Sequence, residues 1–252
     1  VYMLLKTLVN KLVRKLAAEL GILIEQANTS IAYKTLPKFA NHPQHIRIAL
    51  PRRIINAQYM FFGDNVWLGP GSLLLASTRY PTAPMQNPEL QLSLQHFSPK
   101  IEIGHRVTST ADLQIAAHQE VIIEDDVLFA SNVHIEDASH GYLTATIPYK
   151  YQPISNIAPV LIKRGCWIGQ NVVILPGVTI GECSIIGANS VVTTSIPERC
   201  IAVGAPARVI KQWDDIMHRW IATTDSFANS NCSTRVEEGT HGGKRFLDRL
   251  KR

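Results

Sequence analysis

Hydrophobic positions along this chain recur every six residues. Ile162, Ile168, Ile174, Ile180, Ile186 and Val192 stand at that step. Four residues after each of the first five come Cys166, Val172, Val178, Ser184 and Ser190, all small or β-branched. This period matches neither the 3.6 of a helix nor the 2 of an ordinary strand. It predicts short strands joined by bends and stacked as a parallel β-solenoid, three units to a triangular coil, in an all-β fold. The aliphatic residue would face inward and the small residue would sit near a corner. Gly169, Gly181 and Gly187 directly follow three of the aliphatic residues, and the bends are expected to require them for their backbone freedom.

The same step runs upstream through Ile123, Phe129 and Ile135, through Ile103, Ser109 and Ile115, and through Phe62, Leu68 and Leu74. An eight-residue step separates Ile115 from Ile123, which reads as a small bulge. The solenoid is therefore expected over about 46–203. Two segments interrupt it: 76–100, rich in Pro, Gln and Ser, and 141–158, with Pro148 and Pro153. A regular scaffold does not need such excursions, so they are read as binding loops.

The ends follow a different pattern. Leu4, Leu5, Leu8, Val9, Leu12, Val13, Leu16 and Leu20 form one face of a helix over 2–20, with Lys6, Lys11, Arg14 and Lys15 on the others. Such an amphipathic helix either packs over the open end of the solenoid or against a neighbouring subunit, or lies on an anionic membrane surface. Trp213, Ile216, Met217, Trp220 and Ile221 recur at helical spacing and predict a short C-terminal helix; from about 223 the composition turns to Ser, Asn, Thr and Gly, as in a flexible tail. The chain thus divides into a helical and extended segment 1–45, a solenoid domain 46–211 with loops 76–100 and 141–158, and a C-terminal helix and tail 212–252.

Charge and cysteine usage narrow the classes. The net charge of +5 is uneven: +7 over residues 1–53, −5 over the middle, +3 over 232–252. Positive charge at the ends, without a basic face interleaved with aromatics, argues against nucleic acid as a partner. No run of eighteen apolar residues is present, so no membrane-spanning helix is expected. The four cysteines form no CxxC pair, consistent with a reduced, cytoplasmic setting, with peripheral contact at the inner face of the membrane through residues 2–20 as the second expectation.

Chemistry is expected where the repeat stops. The stretch NVHIEDASHGY (132–142) ends a regular rung, enters the second excursion and carries His134, Glu136, Asp137 and His140. A histidine at a coil edge suits general-base work, because its unperturbed pKa lies near neutrality. His134 stands beside the inward Ile135 and should point outward, so it is the lesser candidate. No carboxylate partner for His140 can be assigned from spacing alone.

The run IGQNVVILPGVTIGECSIIGANSVVTTSIPERCIAVGAPARVIK (168–211), together with NVHIEDASHGY, resembles the hexapeptide-repeat acyltransferases, and within them most nearly the sugar and surface-polysaccharide O-acetyltransferases. The resemblance covers about 46–211. It implies a left-handed parallel β-helix, a homotrimer, and acetyl-CoA bound in a groove between subunits, with no metal required. It places the catalytic base on His140. It puts Trp167, Gly169, Gly187 and Ala188 along the pantetheine arm, and Ala205, Pro206, Arg208 and Lys211 by the adenosine and its phosphates. Fixed cations at the last two positions match phosphate charge. Asp137 and Tyr142 are the candidates for contact with the acceptor.

The leading expectation is therefore acetyl transfer from acetyl-CoA to a sugar hydroxyl, in a surface polysaccharide such as O-antigen or capsule, or in its precursor. The alternative is N-acetylation of an amino sugar, often linked to a nucleotide. More remote are a hydratase resembling the gamma carbonic anhydrases, which would need histidines such as His118, His134 and His140 to converge on one zinc, and a scaffold with an inactive site.

Overall fold

In the computed structural model, which describes residues 2–83, 89–90 and 92–223, the chain lays successive short strands into three parallel sheets in strict rotation. The first wall runs through Arg47–Ile48, Trp67–Leu68, Thr108–Ser109, Leu128–Phe129, Trp167–Ile168, Ile185–Ile186 and Cys200–Gly204. The second runs through Arg52–Ile55, Ser72–Ala76, Gln114–Ala117, His134–Glu136, Val173–Ile174 and Val191–Val192. The third runs through Met60–Phe62, Lys100–Ile103, Glu120–Ile123, Val160–Ile162 and Thr179–Ile180. Ile162, Ile168, Ile174, Ile180, Ile186 and Val192 are fully buried in the single interior, and so are the small residues at the corners.

Most corners place one residue in the left-handed region, three positions after the inward residue. Asn65, Asp126, Asn132, Asn171 and Asn189 occupy it, as do Gly71, Gly165 and Gly177; Arg106, Asp112 and Cys183 are there too. Asn, Asp and Gly tolerate that conformation best. The amides also stack: Asn132 Nδ2 donates to Asn171 Oδ1 and Asn171 Nδ2 to Asn189 Oδ1, both at 2.9 Å. The glycines expected to relieve the bends do something else. Gly169 and Gly187 are not in the left-handed region. They are needed for room: a Cβ on Gly169 would lie 2.7 Å from the Ala188 nitrogen, and one on Gly187 2.6 Å from Val203 Cγ1.

Every irregularity in length falls at one corner, between the second and third walls. The chain takes 76–100 to pass from Ser72–Ala76 to Lys100–Ile103. It takes two extra residues, His118 and Gln119, between Gln114–Ala117 and Glu120–Ile123, which is the eight-residue step of the sequence. It takes the second excursion between His134–Glu136 and Val160–Ile162. Both excursions therefore leave the same edge with one coil between them, about 10 Å apart at the spacing of neighbouring strands.

The ends correct two expectations. The N-terminal helix, α1, spans Tyr2–Lys34, well past residue 20. Its last turns meet the coil: Ala32 is buried, Arg47 Nη2 donates to Thr29 Oγ1 at 3.2 Å, and, just past the helix, Arg52 Nη2 donates to Thr35 Oγ1 at 3.0 Å. Leu12, Val13, Leu16 and Leu20 are exposed, so this face does not cover the open end of the coil. The C-terminal segment is a hairpin, not a helix. Ala207–Asp214 pairs antiparallel with Cys200–Gly204 and with Arg219–Ala222. Trp213 and Trp220 are seven residues apart, which fits two helical turns but equally fits opposite positions on two strands; they face each other with ring centroids 5.5 Å apart. Asp214 Oδ1 accepts from the backbone N–H of Ile216 and Met217 and closes the turn. The expected tail beyond Thr223 lies outside the described residues.

Cys166, as expected, fills a corner; its thiol is pushed up to about 11 by burial, and Sγ donates to the Gly181 carbonyl at 3.0 Å. Cys183 is exposed. Because the thiolate is the nucleophile, iodoacetamide at about pH 8 should alkylate Cys183 in the native protein and leave Cys166 unmodified until unfolding, as read by peptide mass spectrometry.

Candidate active site

The two excursions dock on each other at their shared corner. Arg79–Tyr80 pairs antiparallel with Gln95–His96 inside the first. Ser139–His140 pairs antiparallel with Ile154–Ser155 inside the second, and Gly141 N donates to Pro153 O at 2.7 Å. The Gln95 side chain then joins the two loops. Its Nε2 donates to the Ile154 carbonyl at 3.1 Å, and its Oε1 accepts from the Ile154 N–H at 2.7 Å. Tyr80, Ala138 and Ile154 form a small apolar core beneath, with Leu92 and Phe97 packed on it.

His140 stands on top of this core with an exposed side chain. Its Nδ1 lies 3.3 Å from the Tyr80 hydroxyl, and the two rings meet edge to face with centroids 5.3 Å apart. The Tyr80 hydroxyl also donates to the Lys150 carbonyl, so residues from both loops converge at the histidine. Burial raises the Tyr80 hydroxyl above its usual pKa, which keeps it protonated. Tyr80 and Gln95 were not legible as site residues. The available signal was an aromatic side chain in a Pro-rich excursion, the kind of residue that has to find apolar cover.

Asp137 takes a different place from the one expected of an acceptor contact. It is 0% exposed, and its carboxylate accepts from the backbone N–H of His118, Gln119 and Glu120, each at 2.7 Å. It clasps the turn that holds the two extra residues, and no lone pair faces solvent. Tyr142 is exposed, and Asn156 Nδ2 donates to its hydroxyl at 3.2 Å. His134 pairs with Glu136 at 3.3 Å along the outer face of its strand. His118 packs edge-on against Phe97. With their separate partners, these histidines form no common centre, and among the described residues no three His, Cys, Asp or Glu side chains are grouped as a metal site.

The other predicted residues lie along the first wall. Trp167 is 50% exposed on its outer face, in register with Leu128 on one side and Ile185 on the other, and Ile185 is opposite Ile201. Ala205 and Pro206 form the exposed turn of the closing hairpin. Arg208 is opposite Val203 and Lys211 opposite Ile201, with a register shift between them. Residues three apart on a regular strand face opposite ways; the β-bulge turns both cations to the outer face that carries Ile201 and Trp167. An aromatic side chain followed by two cations on one exposed strip is suited to a long ligand with a phosphorylated end.

Comparison with known proteins gives the family and the fold. Residues 159–194 match the model of the bacterial transferase hexapeptide repeat (six repeats). The galactoside O-acetyltransferase of Escherichia coli K12 is 31% identical over 186 residues, 72% of this chain and 78% of its own length. The chain belongs to the hexapeptide acyltransferases. Another member, the putative lipopolysaccharide biosynthesis O-acetyl transferase WbbJ of Escherichia coli K12, is 32% identical over 180 residues, covering 69% of this chain and 82% of its own. Among solved structures, a variant of AntD, an N-acyltransferase from Bacillus cereus in complex with dTDP and coenzyme A, superposes with a TM-score of 0.54 at 21% identity. It covers 76% of this chain and 92% of AntD, and shows that this hexapeptide acyltransferase shares the fold.

The clasp at Asp137 gives a test of the corner. Asp137→Asn leaves three buried N–H donors with one oxygen to share, a loss of about 2–4 kcal/mol at ordinary values for charged and unsatisfied hydrogen bonds. The variant should melt several degrees below the wild type in a calorimetric scan; an unchanged midpoint would mean that water or another group satisfies the turn.

Proposed function

We propose that the protein transfers an acetyl group from acetyl-CoA to a hydroxyl of a sugar, in a surface polysaccharide such as O-antigen or capsule, or in its precursor. The observation that carries this reading is the position of His140: an exposed imidazole held against the Tyr80 hydroxyl where the two loops dock, in a chain 32% identical to WbbJ over 180 residues. His140 takes the proton of the acceptor hydroxyl as its oxygen attacks the thioester carbonyl. The tetrahedral intermediate then expels the CoA thiolate, and the imidazolium returns the proton to sulfur. In this reading the winding of the three walls is left-handed.

Acetyl-CoA would lie along the outer face of the first wall. Trp167, Gly169, Gly187 and Ala188 would line the pantetheine arm, and Ala205, Pro206, Arg208 and Lys211 the adenosine and phosphates. Half-exposed Trp67, Leu128 and Trp167 on that face support a homotrimer in which a neighbouring subunit covers the wall and completes the groove. Tyr142 remains the candidate for acceptor contact. His140→Ala should cut turnover by a factor on the order of 10² to 10⁴ while acetyl-CoA binding, measured by calorimetry, persists. The assay is thiol release against a panel of sugars and amino sugars; turnover confined to amino sugars would replace O-acetylation by N-acetylation, and near-full activity of the variant would remove His140 as base.

The exposed face of α1 supports a contact with a membrane surface. Leu12, Val13, Leu16 and Leu20 are uncovered, and Lys6, Lys11, Arg14 and Lys15 outnumber Glu19 along the same stretch. This combination fits the interface of an anionic bilayer, where apolar side chains enter the acyl boundary and cations meet headgroups. Among the described residues no helix is long and apolar enough to cross a membrane, so the contact is peripheral. Full-length protein should float with phosphatidylglycerol-containing vesicles, and protein lacking residues 1–20 should not; failure of the full-length protein to float would refute the contact.

A further inference from the structure

We infer that Tyr80 is the positioning residue that fixes the proton of His140 on Nδ1 and leaves Nε2 as the basic nitrogen. The inference rests on the reading of His140 as general base and adds to it which atom acts and what selects it. A phenolic hydroxyl has one proton to give. The Lys150 carbonyl has none, so it can only accept, and the Tyr80 hydroxyl donates to it. What Oη keeps is a lone pair. The ring atom facing that lone pair at 3.3 Å is His140 Nδ1, which must carry hydrogen to make the bond. The neutral ring is then bare at Nε2.

Three further observations hold this assignment in place. The Tyr80 hydroxyl is kept protonated by burial, so it cannot turn into a phenolate that would release the Lys150 carbonyl. A ring flip of His140 would bring a C–H edge against Oη and lose the hydrogen bond, while the edge-to-face packing at 5.3 Å fixes the ring plane. Proton uptake at Nε2 leaves Nδ1–H unchanged, so the same bond serves the imidazole and the imidazolium and nothing reorganises during transfer. The selecting groups come from different excursions: Tyr80 from the first and Lys150 from the second. The correct tautomer therefore requires the two loops to be docked, which is the task of the Gln95 clamp on Ile154.

The test reads the tautomer without substrate. In nitrogen-15 histidine spectra of the wild-type protein at about pH 8.5, above the usual imidazole titration, the His140 ring, assigned by its absence in His140→Gln, should show protonated Nδ1 and bare Nε2. Tyr80→Phe keeps the aromatic packing and removes only the oxygen. It should shift the ring toward the Nε2–H form that a free imidazole prefers in water, and lower kcat roughly 10- to 100-fold with KM for acetyl-CoA and the melting midpoint little changed. A wild-type ring bare at Nδ1, or a tautomer indifferent to Tyr80→Phe, overturns the inference. The expected spectra in a protein that acetylates nothing on the sugar panel would support it while refuting the reading of function.

Discussion

Hydrogen bonds in a three-walled coil run only between successive turns, so each wall has to offer the next one the same number of residues. The pairing between Gln114–Ala117 and His134–Glu136, or between Trp167–Ile168 and Ile185–Ile186, leaves no slack along a wall. An inserted residue inside a strand would flip every following side chain to the other face. Extra length can leave only at a corner, where the bend already breaks the ladder. This constraint explains why 76–100, the His118–Gln119 step and the second excursion all leave at a corner, and all three use the one between the second and third walls. It also explains why the candidate site is at a corner, where the chain can add long segments without unstitching the coil.

A corner that releases two long loops has to be held by something other than the ladder. Asp137 does this from the inside, with a carboxylate that satisfies three consecutive N–H groups of the intervening coil. A carboxylate so enclosed is stable only because it is fully hydrogen-bonded. The apolar cluster of Tyr80, Ala138 and Ile154 does the same from the outside. Between them the loops have fixed positions, and a histidine at their junction inherits a fixed direction. Preorganisation of the base is thus a property of the corner rather than of any one contact.

The legible part of the molecule was the part governed by period. Inward residues, wall count, both excursions and His140 at the edge of the second follow from a six-residue step that local physics imposes on every coil. Pairwise facts were not legible. Tyr80 and His140 are sixty residues apart and meet only because two loops leave the same corner. Trp213 and Trp220 satisfy helical spacing and hairpin register equally well; the edge of the first wall decided between them, because Cys200–Gly204 offers an unpaired strand edge that a hairpin satisfies and a helix does not. Gly169 was legible as glycine but not for its reason, since crowding by Ala188 depends on the neighbouring coil.

The hairpin also changes what the closing motif can do. On a continuous regular strand Arg208 and Lys211 would face opposite ways, and one cation would point away from the strip that carries Trp167. The shift of register opposite Ile201 and Ala202 adds one residue between them and restores a common face. A helix beginning at 212 would leave this strand without its outer partner, since Lys211 pairs with Ala222 and Gln212 with Ile221. The pair Trp213 and Trp220 then pins the free end of the strand by a ring contact rather than by length. The outer face of the first wall thereby extends past the last parallel strand, and its aromatic and cationic residues fall on one continuous surface.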